Sequence, residues 1–280
     1  SGNLSTYNVK AEVDLPSGLN FSTKLGSDTV TATTYMVINS LGAATSTSGT
    51  DLQGLKNALS GNFVLGANID ASGTANTAVW GANGFTPIGT KAVPFTGQFD
   101  GLGHVVTSLN SSTSTSATAA SLFGATSATA NLRNIGIVAP VISSSIASGA
   151  YGYVSGLVGL NNGKVNNAYV SGGTITSIGA VNMGGLVGYN YGTVSNSSNS
   201  STLLVTNKLD SSLGGLVGKA STTSKIINSY NTGTVTGTLI TAGGLVGINN
   251  GSITGSFNTG AVMAGVDAGG LVTSNRTATG

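Results

Sequence analysis

Gly156-Leu157-Val158-Gly159 returns as Gly185-Leu186-Val187-Gly188, Gly215-Leu216-Val217-Gly218 and Gly244-Leu245-Val246-Gly247. The leading glycines are 29, 30 and 29 residues apart. A degenerate copy, Gly270-Leu271-Val272-Thr273, follows 26 residues on, and Ser121-Leu122-Phe123-Gly124 is a worn copy upstream. Three copies lead into a shared turn phrase: Asn161-Asn162-Gly163-Lys164-Val165, Asn190-Tyr191-Gly192-Thr193-Val194 and Asn249-Asn250-Gly251-Ser252-Ile253. After Gly215, Ser221-Thr222-Thr223-Ser224-Lys225 takes its place. A closing element, Asn228-Ser229-Tyr230-Asn231-Thr232-Gly233-Thr234-Val235, matches Gly255-Ser256-Phe257-Asn258-Thr259-Gly260-Ala261-Val262. Self-similarity at this period is the mark of a stacked-repeat architecture.

Leu-Val between glycines is too short and too flanked by breakers for a helical turn, so it predicts a buried strand of two or three residues. The apolar positions Val165, Val194, Ile226 and Ile253 predict a second strand, and Ile175, Leu203, Val235 and Val262 a third. Three short strands per repeat, separated by Gly, Asn, Ser and Thr, describe one coil of a β-solenoid. Equivalent residues then stack about 4.8 Å apart. Leucine and valine ladders fill the core, and glycines are expected at corners with positive φ. Turn asparagines are expected to bond their own backbone or the asparagine one coil away. The all-β solenoid is expected to be a rod of roughly ten coils.

Composition supports this. Only 6% of the 280 residues are charged, and 44 are glycine. An ordinary globular domain carries roughly 25% charge, but a solenoid needs turns and ladders more than charged helix faces. The aliphatic residues are frequent and periodic, which separates the chain from disordered Gly/Ser-rich segments. No cysteine is present, so disulfides, thiolate metal sites and thiol nucleophiles are excluded. Ten Lys/Arg are scattered singly for a net charge of +2, which gives no phosphate-binding stripe and predicts no nucleic-acid partner. No apolar run reaches a membrane-spanning length. Ser1-Gly2-Asn3 does not open a signal peptide, so a mature product or an excised piece is expected.

Along the chain, residues 1–50 are expected to be an N-terminal β cap region and residues 51–280 the β-helix. Tyr7–Leu15 and Thr29–Ile38 alternate apolar and polar residues as strands do. Asp51–Leu59 is the one stretch that predicts a helix, capped by Thr50 or Asp51 and stopped at Gly61. Phe63, Phe85, Phe95 and Phe99 anchor an aromatic middle, and residues 111–120, nearly all Ser, Thr and Ala, predict an exposed loop or low-complexity corner.

Three further phrases carry a family resemblance: Asn62–Gly73, Phe85-Thr86-Pro87-Ile88-Gly89, and Pro94–His104. They resemble the block that precedes repeats in large bacterial exoproteins. The repeats, over about residues 121–272, resemble the GLUG motif. Together these segments are similar to filamentous-haemagglutinin-like adhesins, which are secreted through a partner outer-membrane barrel. The first 50 residues do not match that family's secretion domain. The resemblance implies a right-handed parallel β-helix, secreted to a bacterial cell surface or extracellular fibre. It implies attachment or self-assembly, with partners that are further copies of the chain, a surface glycan or a polysaccharide.

Chemistry-bearing residues are few. Asp70 and Asp100 lie one repeat apart, so they could stack on adjacent coils as a glycosidase pair, the basis of an alternative reading as a polysaccharide-active enzyme or carbohydrate-binding module. Both sit in turn dipeptides, where aspartate usually accepts backbone N–H bonds. His104, the only histidine, is expected at a turn or strand edge, satisfied by backbone. One histidine, no cysteine and eight dispersed acids predict no metal site, no cofactor and no catalytic centre. Tyr151, Tyr153, Tyr189 and Tyr191 flank the repeat phrase beside Asn and Ser; they could stack on sugar rings or on one another. Asn196 and Asn199 stand in glycosylation sequons. Finally, Gly270, Leu271 and Val272 form a strand edge that is expected to pair with more coils or with a second molecule.

Overall fold

The computed structural model describes residues 11–24, 31–115, 118–146, 152–179, 181–206 and 211–276. One complete coil runs through Val158–Asn161, Lys164–Asn166, Tyr169–Ser171, Thr174–Ser177 and Val181–Gly184, and Val187–Asn190 begins the next. Each strand pairs in parallel with its counterpart one coil away, giving five sheets, numbered here as first to fifth face in that order. The molecule is therefore a parallel β-solenoid of about eight turns with almost no helix. That is fewer than the ten coils expected, because each coil uses more chain: residues 62–130 complete only two circuits.

Five strands per coil replace the three expected. The two that were missed are the third face, whose inward positions become Asn199, Asn231 and Asn258, and the fifth, which runs through Gly184, Gly214 and Gly243. On neither does one aliphatic residue recur through the coils, so periodicity could not show them.

The core is a set of columns. Phe123, Val158, Val187, Val217, Val246 and Val272 align on the first face. Phe63, Phe99, Leu132, Val165, Val194, Ile226 and Ile253 align on the second. Leu157, Leu186, Leu216 and Leu245, one residue before each first-face strand, are fully buried. A fully buried aliphatic side chain contributes roughly 1.5–3 kcal/mol, so these columns dominate cohesion.

The repeat glycines have a different cause from the one expected. None of Gly156, Gly185, Gly215 or Gly244, nor Gly159, Gly188, Gly218 or Gly247, has positive φ. A Cβ at Gly188 would lie 2.7 Å from the Gly159 carbonyl oxygen, and one at Gly218 would lie 2.6 Å from that of Gly188. The closing glycines thus let neighbouring coils approach. The leading ones clear the opposite wall: a Cβ at Gly185 would lie 2.1 Å from the Asn199 side chain. Positive φ falls on Asn134, Asn167, Asn196, Asn228 and Gly255, stacked at the corner between second and third faces, and elsewhere on glycines such as Gly172 and Gly173. Asparagine tolerates that conformation, and its side chain adds a bond between coils: Asn167 donates to Asn134 and Asn196 to Asn166, each at 2.8 Å.

Two buried amide ladders continue the theme. On the first face Asn161 donates to Asn190 (2.7 Å) and Asn249 to Asn275 (2.8 Å); on the third, Asn199 donates to Asn231 and Asn231 to Asn258. Each asparagine also bonds its own turn, as Asn161 does through the Gly163 N–H. Asn199 is buried in this ladder, which removes it as an accessible sequon.

At the N-terminal end, Gly18–Thr23 pairs antiparallel with Thr33–Ile38 and covers its outer edge, while Thr33–Ile38 pairs parallel with Asn62–Leu65. Residues 11–16 form no strand, and the expected strand from Tyr7 lies partly outside the described residues. The expected helix is shorter and tighter, a 3-10 turn over Gln53–Asn57, with the Asp51 carboxylate accepting the Gly54 N–H. A single α turn, Thr77–Trp80, was not foreseen. The expected loop at 111–120 is also overturned. Asn110–Thr113 is a fourth-face strand with Ser111 buried against Ile142's column, its hydroxyl bonded to the Phe85 carbonyl. Register with Val141–Ser144 overrides a composition that reads as loop.

Candidate ligand-binding cleft

Where the fifth face turns into the first, outward positions of both faces converge. Tyr153 and Asn182 are register partners on the fifth face. Leu160, Tyr189, Lys219 and Ile248 form the outward column of the first. Val187 and Asn190 are fully buried while Tyr189 between them is half-buried, so on this face Tyr189 carries the outward chemistry. The Tyr189 and Tyr191 rings stack at 4.5 Å between centroids and 30° between planes. The Lys219 ammonium lies 5.2 Å from the Tyr189 ring centre, a cation–π distance. Burial, then the hydrogen bond that the Tyr189 hydroxyl donates to Tyr191, then the neighbouring phenols push that hydroxyl well above its ordinary pKa, so it stays protonated.

These residues line a cleft of about 440 Å³ together with Lys91 and Arg276. A smaller cavity of about 200 Å³, walled by Pro87, Gly89 and Thr118, shares Lys91 and Tyr153 with it. Three cations and three phenols thus border one groove, and no acidic residue is among its described lining. Such a surface offers flat rings, hydroxyl donors and positive charge. Tyr153, Tyr189 and Tyr191 are brought together; Tyr151 lies outside the described residues. Sequence inspection passed over Lys219, although it sits one repeat after Tyr189 and could have been found from the register. Lys91 and Arg276 have no such signal.

The acidic candidates do not form a pair. Asp70 pairs with Thr107 on the third face, whereas Asp100 pairs with Val64 and Arg133 on the second, so they do not stack. Asp70 accepts the Ser72 N–H, which holds its carboxyl below the usual range. Asp100 is 1% exposed; its carboxylate takes Arg133 Nε at 2.7 Å, Asn134 Nδ2 at 2.9 Å and the Leu102 N–H at 2.9 Å. Arg133 also reaches the Tyr35 hydroxyl at 3.3 Å. The turn role expected of both aspartates is what the geometry displays; Asp100's arginine partner arrives from the next coil. His104 is wholly buried, with Nε2 3.0 Å from the Val13 carbonyl oxygen and Nδ1 without a hydrogen-bond partner.

Comparison with known proteins agrees with this architecture. The family model described as the GLUG motif matches residues 210–236. Halomucin of Haloquadratum walsbyi is 32% identical over 115 residues, which is 41% of this chain and 1% of halomucin. The chain thus spans a very small part of that relative. The crystal structure of a "putative immunoglobulin A1 protease" from Bacteroides ovatus superposes with a TM-score of 0.51 at 18% identity, over 89% of this chain and 86% of that one. At that identity the likeness concerns the fold. The chain is a GLUG-containing repeat protein built as a β-solenoid.

Proposed function

We propose that the chain is a non-enzymatic segment of a surface or extracellular protein, a rod that adheres through a glycan held in the tyrosine-lined cleft. The observation that carries this is the grouping of Tyr153, Tyr189 and Tyr191 with Lys91, Lys219 and Arg276, with no acid among the described lining residues. Sugar C–H faces pack on phenol rings, and the three cations favour a glycan bearing carboxylate or sulfate groups. The likeness to a region of halomucin and the GLUG motif favour an extracellular setting. The repeats and the block before them also resemble filamentous-haemagglutinin-like adhesins, which fits this reading. Against the polysaccharide-active alternative stands Asp100, enclosed with Arg133 and closed to a substrate.

A second reading, self-assembly, is favoured by the last coil. Phe257, Met263, Val266 and Leu271 are exposed there. One experiment separates the two. Acidic, sulfated and neutral polysaccharides are titrated onto the chain, with sedimentation followed in parallel. Binding of an anionic glycan, weakened about tenfold or more by Tyr189→Ala and unaffected by Tyr230→Ala, supports adhesion. Concentration-dependent oligomers without glycan binding, suppressed by Leu271→Lys, support assembly instead.

A further inference from the structure

Far from the cleft, a buried imidazole is left facing two carboxylates. Residues 11–16 cross the corners of the first coils: the Val13 N–H donates to the Leu102 carbonyl (3.1 Å) and the Leu15 N–H to that of Gly66 (3.0 Å). Alternate side chains of such a segment share a side. Glu12 and Asp14 accordingly both lie beside His104, with Glu12 Oε2 4.0 Å from Nδ1 and Asp14 Oδ1 3.8 Å from Nε2. One donor atom from each of the three falls within 4.8 Å of the others.

The hydrogen bond to Val13 fixes the tautomer. A carbonyl oxygen only accepts, so Nε2 carries the proton and the lone pair of the neutral ring is on Nδ1. That nitrogen is buried and unpartnered. A lone pair aimed at a carboxylate with no donor between them is repulsive, whereas a cation set there converts both groups into ligands. Neither carboxylate has a Lys or Arg partner among the described residues. Glu12's other oxygen is held by Asn68 Nδ2 at 3.1 Å, and Asn68 Oδ1 accepts the N–H of Val105, next to His104. This orients one ligand while the other moves. The Asp14 and Glu12 side chains are 88% and 52% exposed, so both can move toward a cation held on Nδ1 by bonds of about 2.0–2.2 Å.

We propose that His104 Nδ1, Glu12 and Asp14 bind a divalent transition-metal cation of the zinc class, which fastens residues 11–16 to the coils carrying Gly66 and Leu102. One imidazole with two carboxylates suits such an ion, whereas calcium and magnesium take all-oxygen shells. The site escaped sequence inspection because its acids and its histidine are about 90 residues apart.

The chain's single histidine makes the test direct. The full chain, labelled with ¹⁵N-histidine and freed of metal, is titrated with Zn²⁺ near neutral pH. The expected result is a one-site shift of the Nδ1 resonance while Nε2 keeps its proton. Glu12→Gln and Asp14→Asn are each expected to raise the half-saturating Zn²⁺ by about tenfold or more, while Asp70→Asn leaves it unchanged. Both altered residues are exposed, so the variants fold. Three results overturn the proposal: no Nδ1 response up to millimolar Zn²⁺, a response at Nε2 instead, or indifference to both variants. An Nδ1 already protonated in the metal-free chain at that pH also overturns it, since an imidazolium then holds the strap.

Discussion

Arg133→Ala is expected to destabilise the N-terminal half of the rod by about 3–5 kcal/mol. The substitution leaves the Asp100 carboxylate in place, 1% exposed and stripped of its counter-charge. Burying an unpaired carboxylate is far more costly than losing the attraction itself. The Asn134 amide and the Leu102 N–H remain, but two neutral donors do not replace a guanidinium. Tyr35 also loses its bond to Arg133, loosening the strand that starts the stack. Hydrogen exchange should therefore show lost protection in strands Asn62–Leu65, Gln98–Asp100 and Asn131–Arg133, with little change beyond Thr193, because each coil touches only its neighbours. Pairing Arg133→Met with Asp100→Asn should recover much of the loss. A cost under about 1 kcal/mol for Arg133→Ala would mean that water reaches the pair.

Gly215→Ala is the second large effect, at about 3 kcal/mol. The added methyl would lie 2.1 Å from the Gly244 carbonyl oxygen and 2.3 Å from Asn231 Nδ2. The first contact is with backbone and cannot turn away; the second displaces a member of the third-face amide ladder. The matched control is Gly270→Ala. It has the same place in the repeat, but nothing lies within 4 Å of its Cβ, so a change within about 0.5 kcal/mol is expected. Equal losses at both positions in thermal unfolding would show that backbone entropy, not inter-coil space, is why glycine stands there.

Much of the fold was legible because a solenoid writes itself along the chain. The 29- and 30-residue intervals are the circumference of a coil, and Val158, Val187, Val217 and Val246 fall into register as that period requires. What periodicity hid were faces whose inward residue changes from coil to coil, as the third does from Val170 to Asn199 and the fifth from Val154 through Met183 and Leu213 to Ala242. Asn199 and Asn231 look like turn residues in one dimension and are core residues in three. The positive-φ corner that glycine is expected to fill holds Asn134, Asn167, Asn196 and Asn228, and only then Gly255. Interactions between coils were the hardest to foresee. Asp100 was judged against its neighbours in sequence, yet its arginine lies 33 positions on, one circuit of the rod. At the cleft, the tyrosines were visible as a cluster, while the ammonium over Tyr189 again comes from the next circuit.

Stacking one repeat per coil also gives the rod a mechanical character. Its inter-strand hydrogen bonds run along the axis, and a pull on the chain end loads only the terminal coil. Peeling that coil shortens the rod by about 4.8 Å and releases roughly 29 residues, about 100 Å of extended chain. Tethered at both ends, such a molecule lengthens under load in discrete steps near that size, one per coil, and takes up strain before the bond it holds must break. Force spectroscopy on the full chain would register these steps; a single all-at-once rupture would show that the coils yield together.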